Sequence, residues 1–265
     1  MELDLSLLFN ILSYIGVISF AISGAIVAID READLFGVVF LSFVTSFGGG
    51  MMRDIILNKG IPHFFVDYTG LIIVCLVTSL SVFLFAMRFK RTFVDDEKLL
   101  DSINNYIDAV GIGVFSVSGA EIAVKTGYTS YIVVVFMGVV SCIGGGMLRD
   151  IILGDVPFVL RKRIYALACI AGSSVFYILW YNGAPEVVMM LAGALTTFGI
   201  RVLATIFKWN MPKAIEFSKL RAEDKKVRGK QHHRRAPGIP ASAPVPKENQ
   251  SQTEADSREH STTAK

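Results

Sequence analysis

The stretch GGGMMRDIIL, Gly48 to Leu57, returns as GGGMLRDIIL, Gly144 to Leu153, with one difference in ten positions, and each copy closes a long apolar run. Upstream, FAISGAIVA from Phe20 to Ala28 matches FSVSGAEIA from Phe115 to Ala123, at an offset of 95 residues against 96 for the glycine motif. Two blocks kept in nearly the same register define an internal repeat. Beyond the motif each copy meets proline and aromatics, Ile61-Pro62-His63-Phe64-Phe65 in the first and Val156-Pro157-Phe158 in the second.

Composition sets the solvent of the fold. With 52% hydrophobic and 18% charged residues and a mean hydropathy of +0.52, the chain of 265 residues is too apolar for a soluble globule. Windows of about 20 apolar residues, the length that crosses a bilayer core, predict an all-α polytopic membrane protein. Seven transmembrane helices are expected near 8–29, 35–52, 69–88, 106–124, 130–147, 163–181 and 186–206. Residues 1–102 and 103–184 then form two three-helix repeats, with a seventh helix in 185–206 and a tail over 207–265. Three spans is an odd number, so the second repeat enters the membrane from the opposite side and the repeats are inverted. A cleavable leader is not expected at the first span, because Glu2 and Asp4 stand where a signal peptide carries basic residues and the span has a repeat partner.

Basic residues gather beside the spans on one side: Arg88, Lys90, Arg91 and Lys98 after the third, Arg161, Lys162 and Arg163 before the sixth, and the segment after the seventh. The positive-inside rule makes that side cytoplasmic. The amino terminus is then outside and the carboxyl terminus cytoplasmic; Arg53 and Lys59, on the outer connection, are exceptions. Residues 1–206 hold 13 Lys/Arg against 16 Asp/Glu, and residues 207–265 hold 13 against 7, so the basic balance belongs to the tail. Its first part suits an anionic inner leaflet, and the Pro-, Ser- and Glu-rich remainder lacks the apolar residues to fold. It reads either as a regulatory arm or as a solvated terminus with a topology anchor.

Cys75, Cys142 and Cys169 fall inside spans without metal-ligand spacing, and His63, His232 and His233 join no carboxylate cluster. Nucleophile elbows and metal-binding helix signatures are lacking. No catalytic residue, metal or cofactor is called for, the chain does not read as an enzyme, and no nucleic-acid partner is expected.

The remaining chemistry concerns passage across the membrane. Three successive glycines, Gly48, Gly49 and Gly50 or Gly144, Gly145 and Gly146, make an interrupted or kinked helix inexpensive. Backbone groups freed there must be satisfied by protein, water or an ion. Paired interrupted helices in inverted repeats point to a midplane polar site, whereas close helix packing uses small residues in the same way. Arg53-Asp54 and Arg149-Asp150 follow each triplet. A charge at mid-bilayer costs about 2.5–3.5 kcal/mol on insertion scales, so the sequence predicts either cross-pairing, Arg53 with Asp150 and Arg149 with Asp54, or capping and snorkelling at the membrane edge. Ser23 and Ser118, in the SGA groups, line a pore or mark tight helix contacts. Asp108 and Glu121 lie at opposite ends of the fourth span, with Lys125 placed for an i, i+4 pair to Glu121. Arg201, near the end of the seventh span, is expected to snorkel.

Two three-span repeats, each with the GGGM-x-RDIIL element and the SGA group, followed by a seventh span, resemble the bacterial branch of the TRIC family, the trimeric intracellular cation channels. The same proteins are also grouped as an uncharacterised membrane family with a domain named for glycine transport. The resemblance covers about residues 8–206. It implies a homotrimer in the inner membrane, in contact with membrane lipid, in which each subunit holds a pore for monovalent cations such as K⁺ and Na⁺. The glycine triplets would be hinges of kinked second and fifth helices, with Arg53, Asp54, Arg149 and Asp150 as nearby polar groups. The lysine-containing lipid motif of the animal members is matched here only by Arg53-Asp54-Ile55-Ile56, so phosphoinositide regulation is not carried over. Two mechanisms fit these residues: a passive cation channel with helices broken at the glycines, or a secondary transporter of a small zwitterion such as glycine. A non-transporting scaffold would need packing glycines only.

Overall fold

Eight helices are found among the described residues, 5–58, 69–89, 97–161 and 164–207, of the computed structural model. They are α1 (Leu5–Asp30), α2 (Leu35–Ile56), α3 (Thr69–Arg88), α4 (Glu97–Lys125), α5 (Tyr131–Ile152), the single turn α6 (Phe158–Arg161), α7 (Tyr165–Tyr181) and α8 (Glu186–Ile206). Six are long and apolar enough to cross a membrane by length and composition, and α7 is an apolar helix of 17 residues. The expectations for the segment around His63, for Lys162 and Arg163, and for the tail beyond Phe207 lie outside the described residues.

The packing follows the duplication. Helix α1 lies on α2 as α4 lies on α5, α3 covers α1 and α2 as α7 covers α4 and α5, and the two sets meet through α1 against α4 and α2 against α5. Helix α8 packs on α4 and α7, with only a slight contact to α1. Even the terminating turns correspond. Gly154 leaves α5 with φ +71°, its N–H bonding Ile151 while the Asp155 N–H reaches Asp150 at 2.9 Å, a Schellman closure in which glycine carries the left-handed residue. Its repeat equivalent Asn58 takes φ +53° and bonds Ile55, a conformation that asparagine tolerates better than most residues.

The glycine triplets do not interrupt their helices. Both α2 and α5 run continuously through them and on past the expected ends at 52 and 147, carrying Arg-Asp-Ile-Ile as the last helical residues. The physical reason is visible at the α2–α5 crossing. A Cβ on Gly49 would lie 2.1 Å from Ser141 O, and one on Gly145 would lie 2.0 Å from Thr45 O. The missing side chains let two backbones touch, and intact helical hydrogen bonds leave no polar backbone group unanswered in hydrocarbon. Gly48 and Gly144 widen the same contact, facing Leu148 and Met52, the one pair at which the two motifs differ.

Gly24 and Gly119 repeat this device between α1 and α2 and between α4 and α5. A Cβ on Gly24 would meet Ser42 Cα at 2.7 Å, and one on Gly119 would meet Met137 O at 2.6 Å. The hydroxyls near these crossings are turned back onto their own helices, Thr45 to Leu41 O at 2.6 Å and Ser141 to Met137 O at 2.8 Å.

Candidate functional site

Each Arg-Asp motif closes on itself. Arg53 donates through Nε and Nη2 to Asp54 Oδ1 at 2.8 and 2.7 Å, and Arg149 donates to Asp150 Oδ1 at 2.9 and 2.8 Å. All four side chains are buried. The expected cross-pairing does not form. From the crossing at Gly49 and Gly145, each arginine lies four residues further along, ~6 Å along its own axis. Because α2 and α5 finish at opposite ends of the bundle, the two motifs diverge from the crossing. Two donors converging on one oxygen of the neighbouring carboxylate neutralise each guanidinium without a remote partner. Asp150 is fixed further by Oδ2, which accepts the Phe158 N–H of α6 at 2.6 Å.

A cavity opens beside each motif. At the Arg149 end its volume is about 290 Å³, walled by Ser23, Arg149, Asp150 and Tyr165 and by one face of α4, Asp101, Asn104, Asn105 and Asp108. The spacing i, i+3, i+4, i+7 places these four on a single stripe. Asp30, Arg31 and Asp155 form its mouth, where Arg31 bridges to Asp155 at 2.6 Å. Among the lining side chains five aspartates face two arginines, a formal excess of acidic groups. Ser23 Oγ accepts a hydrogen bond from Arg149 Nη1 at 3.4 Å, and Asn104 Oδ1 is buried without a hydrogen-bond partner.

At the Arg53 end the cavity is about 60 Å³ and mostly apolar, lined by Phe9, Ser13, Ser46, Arg53, Ser118 and Ile122 among others. Four of these positions are repeat counterparts of residues in the first set: Ser118 of Ser23, Arg53 of Arg149, Phe9 of Asn104 and Ser13 of Asp108. Gly49, Gly145 and their backbone contacts lie at the α2–α5 crossing, between the two arginine ends.

A family model described as glycine transporter matches residues 10–87 and again 105–181. The inner membrane protein YadS of Escherichia coli K12, a UPF0126 protein, is 33% identical over 201 residues, covering 76% of this chain and 92% of that one. A structure solved to explain conductance through TRIC cation channels is 37% identical with a TM-score of 0.68, over 78% of this chain and 98% of the other. The chain belongs to the bacterial TRIC family. The TRIC orthologue from Rhodobacter sphaeroides is 31% identical, also with a TM-score of 0.68, over 76% of this chain and 99% of that one.

Within this TRIC-family chain, Ser23 and Ser118 each line one of the two cavities, and the adjoining Gly24 and Gly119 seat the helix crossings. The Glu121–Lys125 pair forms as anticipated. Arg201 does not snorkel. It is buried, stacked over the Tyr165 ring at 4.5 Å and 3.9 Å from Asp108 Oδ2, because an aromatic face and a carboxylate offer more than the bilayer edge. Sequence reading missed Asp101, Asn104 and Asn105. Their signal is a polar stripe at helical spacing at the start of α4, upstream of the apolar window at 106–124.

Proposed function

We propose that the protein is a passive channel for monovalent cations, K⁺ and Na⁺, in the bacterial inner membrane. It works as a homotrimer with one pathway in each subunit, its amino terminus outside and its carboxyl terminus in the cytoplasm. One observation carries this reading: two cavities at opposite ends of one helix crossing are lined by repeat-matched side chains. The kinship to proteins described as TRIC cation channels supports it.

The acidic Arg149-end cavity is the cytoplasmic vestibule and concentrates cations by its field. Asp54 and Asp150 cancel the guanidiniums that would otherwise repel them. Opening requires α2 and α5 to shift at the glycine crossing, where the pathway is closed by backbone against backbone. A zwitterion carrier is less well served, since each guanidinium already spends its fork on a neighbouring carboxylate.

Single-channel recording of the purified protein in planar bilayers under a KCl gradient tests the reading. Discrete openings reversing near the K⁺ equilibrium potential are expected. Asp108→Ser should reduce unitary current from the vestibule side, on the order of tenfold at low salt and less as ionic strength rises. Electrical silence, with saturable glycine uptake by proteoliposomes of the same preparation, would replace the channel by a carrier.

A further inference from the structure

At the Arg53 end, the last turn of α4 holds charges that the duplication does not explain. Glu121 has a side chain only 3% exposed, on a helix that is otherwise apolar here. Lys125 Nζ bonds Glu121 Oε1 and also reaches Oε1 of Glu186, the first residue of α8, at 3.0 Å. The other oxygen, Glu121 Oε2, is buried with no hydrogen-bond partner. The Lys125 side chain is 58% exposed, and its ammonium lies 5.7 Å from the ring centroid of Phe9, which lines the smaller cavity. The repeat counterparts of Glu121 and Lys125 are Ile26 and Asp30, so the arrangement is a property of one half alone.

A buried carboxylate oxygen left unanswered is costly. When both carboxyls are ionised, two carboxylates against one ammonium also leave the group short of one positive charge. A divalent cation supplies what is missing, and carboxylate oxygens completed by water suit hard ions such as Mg²⁺ and Mn²⁺. The present occupant is a single charge on a flexible stem, and it can swing into solvent without moving a helix.

We propose that Glu121 and Glu186 form a divalent-cation site in which the Lys125 ammonium is a built-in occupant, displaced when Mg²⁺ or Mn²⁺ binds. Binding then moves Lys125 away from Phe9 and from the rim of the smaller cavity. The site stands apart from the conduction reading, since it rests on different residues and binds an ion whether or not the bundle conducts.

The experiment is a titration of the purified full-length chain with Mn²⁺, following loss of the free-ion electron paramagnetic resonance signal. Lys125→Met should bind one Mn²⁺ more tightly than the unsubstituted protein, by about tenfold or more, with Mg²⁺ competing. Adding Glu186→Gln to Lys125→Met should abolish that gain. Mn²⁺ binding by Lys125→Met no tighter than before overturns the proposal, and so does a gain that survives Glu186→Gln. Because the readout is ion binding, failure of the channel reading leaves this result intact, and the reverse also holds.

Discussion

The two cavities are built from one duplicated plan, yet one measures about 290 Å³ with an acidic lining and the other about 60 Å³ with a mostly apolar one. What the halves share is the framework: the glycine crossings, the Arg-Asp pairs and the serines of the SGA groups. What separates them is the helix face opposite, where Asn104 and Asp108 of α4 stand at the positions of Phe9 and Ser13 in α1. Residues at the backbone crossings are held by packing in both copies, while the faces of α1 and α4 that line the cavities have diverged, so the two ends differ in what they can admit.

The sharpest way to break the comparison is to remove one carboxylate at each end. Asp54→Ala leaves the buried Arg53 guanidinium without its neighbour and should cost about 3–5 kcal/mol. Asp150→Ala also frees the Phe158 N–H but should still cost less, because Arg149 keeps Ser23 Oγ and faces the larger acidic cavity. Thermal unfolding of both variants in detergent checks this, and equal losses would mean that cavity chemistry has no bearing on the pairs.

The crossing offers the next largest effect, and here the halves should agree. Gly49→Ala and Gly145→Ala each drive a Cβ against a carbonyl oxygen of the facing helix, with an expected loss of about 1–3 kcal/mol or more. A marked difference between the two in the same unfolding assay would show that the crossing is not symmetric in energy.

The smallest change has the opposite sign. A Cβ on Gly50 or Gly146 would find its nearest atom at 3.7 or 3.9 Å. Gly50→Ala and Gly146→Ala should therefore gain about 0.5–1 kcal/mol from helix propensity. A simultaneous fall in open probability, read in bilayers, would place a gating hinge at that third glycine. A loss of stability instead would mean that the position needs glycine for contact.

Much of the fold was legible in the sequence because lipid permits few alternatives. Apolar windows and the repeat marked the helices, and their matched packing follows from the register of the two copies. The glycine triplets were harder, since glycine allows both an interruption and a close contact, and only the facing Thr45 and Ser141 carbonyls decide between them. The Arg-Asp pairing was misjudged for a related reason. Helical wheel reasoning sets adjacent residues on different sides, but an arginine stem is long enough to curl back to the next carboxylate. Arg201 was assigned to the bilayer edge because its partners, Asp108 and Tyr165, come from helices whose proximity no local pattern announces.

The closure of each Arg-Asp pair within its own helix has a consequence for synthesis. Helix α2 leaves the ribosome long before α5, ninety-six positions downstream. A guanidinium waiting for a partner on α5 would enter the bilayer bare, at the cost of a lone charge in hydrocarbon. Arg53 and Asp54 instead emerge one after the other, so the insertion machinery can hand α2 to the lipid as an electrically neutral segment. The first half can then wait in the membrane, its glycine surface open, until the second half arrives.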